Sequence, residues 1–583
     1  MQVPYIPEDA PFSGDQRAWL AGFLAGLHSR KAMGGLGGEA GVAPAAAPVK
    51  AKPLDILFGT QTGNAEAVAN DAAAMARTKG YEPRVADLND IDMDRLAGMD
   101  DLIVVISTYG EGEMPDNAQL FWDALSAPTA PRLEKLNFGV LALGDTSYEH
   151  FCQAGKLIDT RLEQLGAKRL TARLDCDVDY EEPATVWLEG AIPVVEAGAT
   201  AAVAEVAKLA KSAWSRKNPY PALVGENRIL SGPKSAKEIR HIAFDLGESG
   251  LTYETGDALG VMPINAPDLV EAFLTRLKAD AGMAIPDKER SLGELLTSAL
   301  EISTPSKELV AAIGARAGHA ELSHVLEGDD KEAIDQFLWG KDTLDLLNLN
   351  PSLALDPVEV VGWMKPLQHR AYSISSSPQA HPGEVHLTVA AVRWMADNRL
   401  HRGVCSTYLA DHVPEGAQAG VFVSPNKNFR IPEDHTVPMV MVGPGTGIAP
   451  FRAFLEERRA LGATGANWLF FGDQHRESDF IYEDEIAEMS ASGLLTRLDL
   501  AFSRDQAAKV YVQNRMHENG KALFAMLEEG GHFYVCGDAT RMARDVDTAL
   551  HEIVASQGGM KAEAATDYVN ALKRAKRYVR DVY

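Results

Sequence analysis

The sequence predicts an α/β protein of three modules: a doubly wound parallel sheet, a β-barrel with a helical insertion, and a second parallel α/β sheet. Apolar strand-like runs alternate with amphipathic helical stretches over residues 53–193 and again over 437–583, a pattern typical of βαβ units. Residues 219–436 are β-rich, and a stretch rich in Leu, Ala and Glu interrupts them at about 266–365. With 583 residues the chain is also too long for a single core.

Composition excludes several classes of protein. The formal net charge of -26 disfavours binding to nucleic acid, because phosphates would be repelled, and favours solubility or a basic protein partner. The chain has four cysteines without the spacing of a zinc site or an iron–sulfur cluster. No signal peptide and no membrane-spanning run is apparent, so we expect a cytoplasmic protein that is not bound to a membrane.

Residues 1–52 are predicted to form an amphipathic helix on a flexible tether. Apolar residues recur at helical spacing within 15–28, and a Gly/Ala/Pro-rich stretch follows at 34–52. The helix could dock a partner or mediate oligomerisation, or it could fold onto its own module, and the sequence leaves both readings open.

The first predicted strand ends in the turn GTQTGNAE at residues 59–66, just before a helix. Gly59 and Gly63 allow a tight turn, and the hydroxyls of Thr60 and Thr62 join successive N–H groups at the helix N-terminus. The turn lacks the lysine of a P-loop, so it suits a phosphate that is held by neutral donors. Taken alone it could also be an ordinary turn.

Two further loops follow buried strands of the same sheet, STYGEGEMPDN at 107–117 and LGDTSYEHFC at 143–152. Open α/β sheets bind ligands at the carboxyl ends of their strands, so the three loops are expected to meet. Tyr109 and Tyr148 could each cover a flat ring, although either could simply pack at the surface.

These three loops resemble the FMN-binding loops of flavodoxin-like domains. The resemblance implies a flavodoxin-like fold for residues 53–193, followed by a linker at 194–218. It also implies these FMN-binding residues: Thr60, Gln61, Thr62, Gly63, Asn64, Ala65, Ser107, Thr108, Tyr109, Gly110, Leu143, Gly144, Asp145, Tyr148, Phe151 and Cys152.

The β-rich module contains RAYSISSSP at 370–378 and GVCST at 403–407. Arg370 can pair with a phosphate and Tyr372 can stack on a ring. With the Gly-rich turn that follows, this series resembles the FAD domain of the ferredoxin–NADP reductase family. The resemblance implies these FAD-binding residues: Arg370, Ala371, Tyr372, Ser373, Thr388, Val389, Ala390, Gly403, Val404, Cys405, Ser406 and Tyr583.

The last module begins with the strand-to-helix turn MVGPGTGIAP, which reads GxGxG and not the GxGxxG dinucleotide fingerprint. FSRDQAAKVYVQ at 502–513 supplies two cations and two hydroxyls, which suit a 2′-phosphate and favour NADPH over NADH. We expect a Rossmann-like NADP domain at 437–583. The predicted NADP-binding residues are Gly443, Thr446, Ser503, Arg504, Lys509, Tyr511, Gln513, Cys536 and Asp538.

Taken by itself, Cys536 at a strand end is most simply a buried structural residue. In the reductase family, however, the matching cysteine lies beside the nicotinamide ring. The resemblance therefore implies that Ser373, Cys536 and Asp581 organise hydride transfer as the catalytic residues. It also implies that the terminal Tyr583 covers the FAD ring and moves aside for NADPH.

Residues 53–583 as a whole resemble a diflavin reductase, and in particular the family of flavoprotein subunits of assimilatory NADPH–sulfite reductase. This implies that electrons pass from NADPH to FAD to FMN and then to a sirohaem/iron–sulfur hemoprotein that reduces sulfite to sulfide. The alternatives are another haem acceptor, such as a monooxygenase or a nitrite-reducing hemoprotein, and a flavin-carrying scaffold without turnover. No metal ligand is predicted.

Overall fold

The computed structural model describes residues 51–110, 112–146, 150–195, 213–328 and 330–583. The predicted N-terminal helix and nearly all of its tether, and residues 196–212 of the predicted linker at 194–218, lie outside the described residues. So does Tyr148, one of the predicted FMN-binding residues.

The N-terminal module is a parallel sheet with helices on both faces. Its strands stand in the order β2–β1–β3–β4–β5, and β6 also pairs with β4. Buried side chains alternate along β3: Val104 and Ile106 join the cluster on one face, and Ile103 and Val105 join the cluster on the other. The elements are β1 (Lys52–Gly59), α1 (Asn64–Thr78), β2 (Tyr81–Asp87), α2 (Met93–Ala97), β3 (Asp101–Ser107), α3 (Asp116–Ser126), β4 (Asn137–Leu143), α4 (Gln153–Gln164), β5 (Lys168–Arg169), β6 (Leu174–Cys176) and α5 (Glu181–Ala191).

The barrel module is a six-stranded antiparallel sheet in the order β10–β9–β14–β7–β8–β11, and a bridge between Ile374 and Leu387 brings its two edges together. Seven helices run from Pro267 to Trp363 around their own apolar core, in the stretch predicted as a helical insertion. The elements are β7 (Tyr220–Ile229), β8 (Glu238–Asp245), β9 (Ala258–Met262), α6 (Pro267–Leu277), α7 (Leu292–Ser298), α8 (Lys307–Ala317), α9 (Ala320–Glu327), α10 (Lys331–Leu338), α11 (Thr343–Asn348), α12 (Pro357–Trp363), β10 (Arg370–Ser373), β11 (Glu384–Ala391), β12 (Arg393–Ala396), β13 (Arg399–Arg402), α13 (Val404–Thr407) and β14 (Gln418–Ser424).

The C-terminal module is a second parallel sheet, in the order β17–β16–β15–β18–β19. Its edge strand β19 ends one residue before the C-terminus and pairs in parallel with β18, so that Cys536 stands opposite Asp581. The elements are β15 (Met439–Val442), α14 (Ala449–Ala460), β16 (Asn467–Asp473), α15 (Arg476–Asp479), α16 (Glu483–Ala491), β17 (Arg497–Phe502), α17 (Val512–Glu518), α18 (Gly520–Glu528), β18 (His532–Gly537), α19 (Met542–Gln557), α20 (Ala562–Arg574) and β19 (Tyr578–Val582).

The predicted fold class is confirmed by this architecture of two parallel sheets and an intervening antiparallel barrel. The exact module boundaries given above from the sequence stay predictions. Among the described helices, none combines the length and the apolar character that crossing a bilayer requires.

Candidate active site

The turn at 59–66 has the geometry of a phosphate site. Gly63 precedes α1 with a φ of 84°, a left-handed conformation that glycine adopts without strain. Thr60 is 3% exposed, and its hydroxyl is buried without a hydrogen-bond partner among the described residues. A buried hydroxyl beside a helix N-terminus is a donor that a phosphate would satisfy, so the residues present fit an FMN phosphate.

Asn117 orients this turn, and the sequence reasoning missed it. Its Oδ1 accepts a hydrogen bond from Thr60 N at 2.7 Å, and its Nδ2 donates to Asp87 Oδ2 at 2.9 Å. Burial raises the pKa of Asp87 to about 6. The only sequence signal for Asn117 was its place at the end of the second loop, just inside α3.

The second and third loops meet behind this turn. Ala154 N donates to Thr108 Oγ1 at 3.2 Å, and Thr108 N donates to the Leu143 carbonyl at 2.9 Å. Cys152 adopts a left-handed conformation before α4, and its buried thiol faces the Cys176 carbonyl at 3.5 Å. Burial raises the pKa of the Cys152 thiol to about 12, so it is neutral at physiological pH.

Tyr109 makes a contact that its sequence pattern did not suggest. Its hydroxyl donates to the Val582 carbonyl at 2.7 Å, next to the C-terminus of the chain. The second loop of the N-terminal module therefore lies against β19 of the C-terminal module.

The predicted FAD-binding residues of the barrel module lie on β10, in the second half of β11 and around α13, whereas Tyr583 follows β19 in the C-terminal module. Arg370 donates to the carbonyls of Gln368 and His369 and lies 3.8 Å from Glu301, and its side chain is exposed. Val392 N donates to Ser406 Oγ at 3.1 Å, which fixes the turn before α13. These groups fit a flavin dinucleotide, since a cation and a helix start face the same edge.

Two of the predicted FAD-binding residues direct their side chains inward. The Cys405 thiol is buried and faces the Val261 carbonyl at 3.8 Å, and burial raises its pKa to about 12. Thr388 Oγ1 lies 2.8 Å from the Tyr482 hydroxyl of the C-terminal module. Cys405 and Thr388 would therefore contact a cofactor through their backbone atoms and not through their side chains.

The Gly-rich turn after β15 requires glycine because two strand ends approach closely there. A Cβ on Gly447 would overlap the Cys536 carbonyl, and a Cβ on Gly443 would overlap the Gly447 carbonyl. Arg504 and Lys509 are exposed after β17, where Arg504 N donates to the Gln474 carbonyl at 2.9 Å. A close backbone turn beside exposed cations fits a phosphorylated dinucleotide.

The three predicted catalytic residues lie together. Ser373 Oγ donates to Asp581 Oδ2 at 2.6 Å, and Cys536 Sγ lies 3.9 Å from the same oxygen. Burial raises the pKa of the Cys536 thiol well above its usual value of 9.0, and it raises the pKa of Asp581 above 3.8. β10, β18 and β19 thus bring a hydroxyl, a neutral thiol and a carboxyl to one point.

Tyr583 stands directly beyond this cluster. Its N–H donates to the Gly537 carbonyl at 3.0 Å, and its hydroxyl lies 3.0 Å from Thr446 Oγ1. Tyr583 as a whole residue is nevertheless 61% exposed, which leaves a ring face for a flat partner.

Three family models match the chain: Flavodoxin over residues 56–187, FAD binding domain over 212–408, and Oxidoreductase NAD-binding domain over 441–548. The "Sulfite reductase [NADPH] flavoprotein alpha-component" of Bacillus subtilis (strain 168) is 43% identical over 577 residues, which cover 97% of this chain and 95% of that protein. The chain belongs to this family. Alpha-components of Vibrio cholerae serotype O1 (strain ATCC 39315 / El Tor Inaba N16961) and Shewanella sp. (strain ANA-3) are each 41% identical, over 98% of this chain and 94% and 96% of their own lengths.

Membership in the flavoprotein alpha-component family fixes the cofactors as FMN, FAD and NADPH, one for each matched module. The chain is a flavoprotein oxidoreductase, and the name alpha-component implies that such proteins work with a further component. The roles of individual site residues stay predictions, which the geometry above supports by placing them together.

Proposed function

We propose that this protein is the NADPH-dependent electron donor of a sulfite reductase. It passes electrons from NADPH through FAD and FMN to a sirohaem/iron–sulfur hemoprotein, which reduces sulfite to sulfide in the cytoplasm. The relatives named as sulfite reductase components align with nearly the full length of this chain. The observation that carries the chemistry is the Ser373–Asp581–Cys536 cluster below Tyr583.

When bound, the flavins supply the redox chemistry, because they accept a hydride and release single electrons. The chain itself supplies position and charge. Asp581 accepts the Ser373 hydrogen bond and places a carboxylate next to the neutral Cys536 thiol. A negative charge at this point favours the cationic, oxidised nicotinamide ring over the reduced ring, and so favours hydride release.

The contact between Tyr109 and Val582 supports direct transfer between the two flavin sites. The loop that carries Tyr109 is a predicted FMN loop, and Val582 is adjacent to the residue predicted to cover FAD. The residues that would hold FMN and those that would hold FAD therefore lie close to one another, which would suit direct electron transfer between the two flavins.

The test is reconstitution with the sirohaem hemoprotein from the same organism. We expect NADPH-dependent formation of sulfide from sulfite, and yellow protein that releases one FMN and one FAD on denaturation. Reduction of ferricyanide without sulfide formation would support a diflavin reductase that serves another acceptor. Flavin-free protein that cannot be reconstituted would contradict the proposal as a whole.

Residues 1–50 are proposed to dock the hemoprotein or to mediate oligomerisation. A chain without residues 1–50 should still reduce ferricyanide at the full rate, since the described modules are intact. It should lose co-purification with the hemoprotein or its oligomeric state in light scattering. Retention of both would show that this segment has neither role.

A further inference from the structure

The N-terminal module contacts the C-terminal strand β19 through two side chains. Tyr109 donates to the Val582 carbonyl at 2.7 Å. Asp116, at the start of α3, forms an ion pair with Arg580 in which Arg580 Nε lies 3.0 Å from Asp116 Oδ2. The Arg580 side chain is 26% exposed, so this pair is partly shielded from water.

β19 also carries the residues of the hydride site. Asp581 lies between the two contacted residues, and Tyr583 follows directly after Val582. Strand pairing ends at Val582, and beyond it Tyr583 is held by Gly537, Ala539 and Thr446. The N-terminal module thus binds the Val582 carbonyl, which is the backbone group directly before Tyr583.

We propose that Tyr109 and Asp116 are positioning residues that hold Tyr583 over the flavin site while the N-terminal module is docked. This inference rests on the proposed function. A docked module would then favour transfer between the flavins and hinder access of the nicotinamide ring. Release of the module would remove these two contacts from the end of β19, loosen Tyr583 and admit the ring, so that electron exit and hydride delivery alternate.

Other contacts across the same boundary do not touch β19. Glu113 lies 3.6 Å from Arg544, which belongs to α19, and Lys427 Nζ donates to Glu66 Oε1 at 2.7 Å. Substitutions at these contacts therefore change how strongly the N-terminal module docks without removing its contacts with β19. Glu113 lies only three positions before Asp116, which makes Glu113 a matched control.

The experiment first fixes the module in its docked position, so that docking strength no longer varies. Glu66→Cys and Lys427→Cys are joined by a short bismaleimide in the full chain, and FMN and FAD content is checked by absorbance. The four native cysteines are buried, so the engineered pair reacts first. Asp116→Asn and Glu113→Gln are then compared in this linked background, since each removes one charge without changing size.

The first readout is the rate of FAD bleaching by saturating NADPH in a stopped-flow instrument. We expect linking to slow this rate about tenfold, Asp116→Asn to restore it, and Glu113→Gln to leave it slow. The NADPH concentration that gives half the maximal rate should not change, because Arg504 and Lys509, the cations predicted to bind the 2′-phosphate, are not altered.

The second readout does not need the cofactors. Hydrogen exchange of the peptide that ends in Tyr583 should be faster in linked Asp116→Asn than in linked Glu113→Gln, in protein with or without flavin. Equal behaviour of the two variants in both readouts, or an unchanged bleaching rate on linking, would overturn the inference. Failure of the unlinked wild-type protein to bleach FAD with NADPH would instead count against the proposed function.

Discussion

Two boundaries between modules differ in how they are built. The barrel and C-terminal modules meet through buried polar groups around Arg452, which donates to the Ser375 carbonyl at 2.7 Å and lies 3.0 Å from Glu456 and 2.6 Å from Glu485. The N-terminal module meets the rest of the chain through two ion pairs with exposed cations, Lys427–Glu66 and Arg544–Glu113, and through the partly shielded pair Arg580–Asp116.

The difference indicates one fixed boundary and one that can open. Buried ion pairs resist salt and lose much when one partner is removed, whereas exposed pairs contribute little and are screened. In the pairs Lys427–Glu66, Arg544–Glu113 and Arg580–Asp116, the cation belongs to the reductase side and the anion to the N-terminal module. An acidic module that separates from a basic face can present the same acidic face to another protein.

The largest expected effect is from breaking the fixed boundary at Arg452. Arg452→Ala removes the arginine from buried Glu456, which keeps only Ser377 N and His381 as partners among the described residues, and should destabilise the barrel and C-terminal modules by about 3–5 kcal/mol. Denaturant midpoints followed by FAD fluorescence measure this loss. Arg459→Ala on the same helix breaks only an exposed pair with Glu488 and should cost less than about 1 kcal/mol. Similar losses for both variants would refute the distinction between the boundaries.

Asp581 lies where this fixed boundary meets the hydride site, since it binds Ser373 of the barrel module. Asp581→Asn should slow hydride transfer by about 10- to 100-fold, or about 1.4–2.8 kcal/mol, because it removes the local negative charge. Stopped-flow bleaching of FAD checks this rate. Ser373→Ala combined with Asp581→Asn should cost less than the sum of the single changes, since the two share one hydrogen bond.

The same carboxyl predicts a pH dependence. Burial raises the pKa of Asp581 above 3.8, so the group becomes neutral at a higher pH than an exposed aspartate. Because the ionised form is the favourable one, hydride transfer should fall as the pH drops through this raised pKa. Asp581→Asn should show no such decline, and an identical pH profile in both proteins would contradict the assignment.

Deletion of Tyr583 should change coenzyme preference by about tenfold, through easier access of the nicotinamide ring. The rate with NADH should rise relative to the rate with NADPH, because NADH lacks the 2′-phosphate and depends more on access. Tyr583→Phe keeps the ring and removes only the Thr446 contact, so it should stay near wild type. Unchanged rates and unchanged preference after the deletion would refute the covering role.

The smallest effect concerns the boundary that can open. Raising KCl from 0.1 to 1 M shortens the Debye length from about 10 to about 3 Å, which should weaken docking of the N-terminal module by less than about 1 kcal/mol per pair. Small-angle scattering should show a larger radius of gyration at high salt, with an unchanged melting temperature of the other two modules. A compact shape at both salt concentrations would remove the contrast between the boundaries.

Local sequence patterns predicted the three sheets and the loops that follow their strands. The resemblance to the reductase family, which rests on motifs in those loops and strands, implied Ser373, Cys536 and Asp581 as candidates. Strand periodicity and turn chemistry depend on residues that are close in sequence, so these patterns predict local structure and not contacts between distant segments. The insertion at 266–365 was visible in the same way, by its change from β-like to helical composition.

Contacts between distant segments could not be predicted in this way. Tyr109 and Val582 are 473 positions apart, and Asp116 and Arg580 are 464 apart. Arg452 looks like any helical arginine until the fold surrounds it with Ser375, Glu456 and Glu485. For Cys405 the motif was recognised, but the inward direction of its thiol depends on the register of the strands around it.

The burial of all four cysteines has a chemical consequence. Their raised pKa values, about 12 for Cys152 and about 11 for Cys176 among them, leave almost no thiolate at neutral pH. Polysulfides and other oxidised sulfur species react with thiolates, not with neutral thiols. If this electron donor works beside a source of sulfide, its cysteine thiols would therefore not react with the oxidised sulfur species formed there.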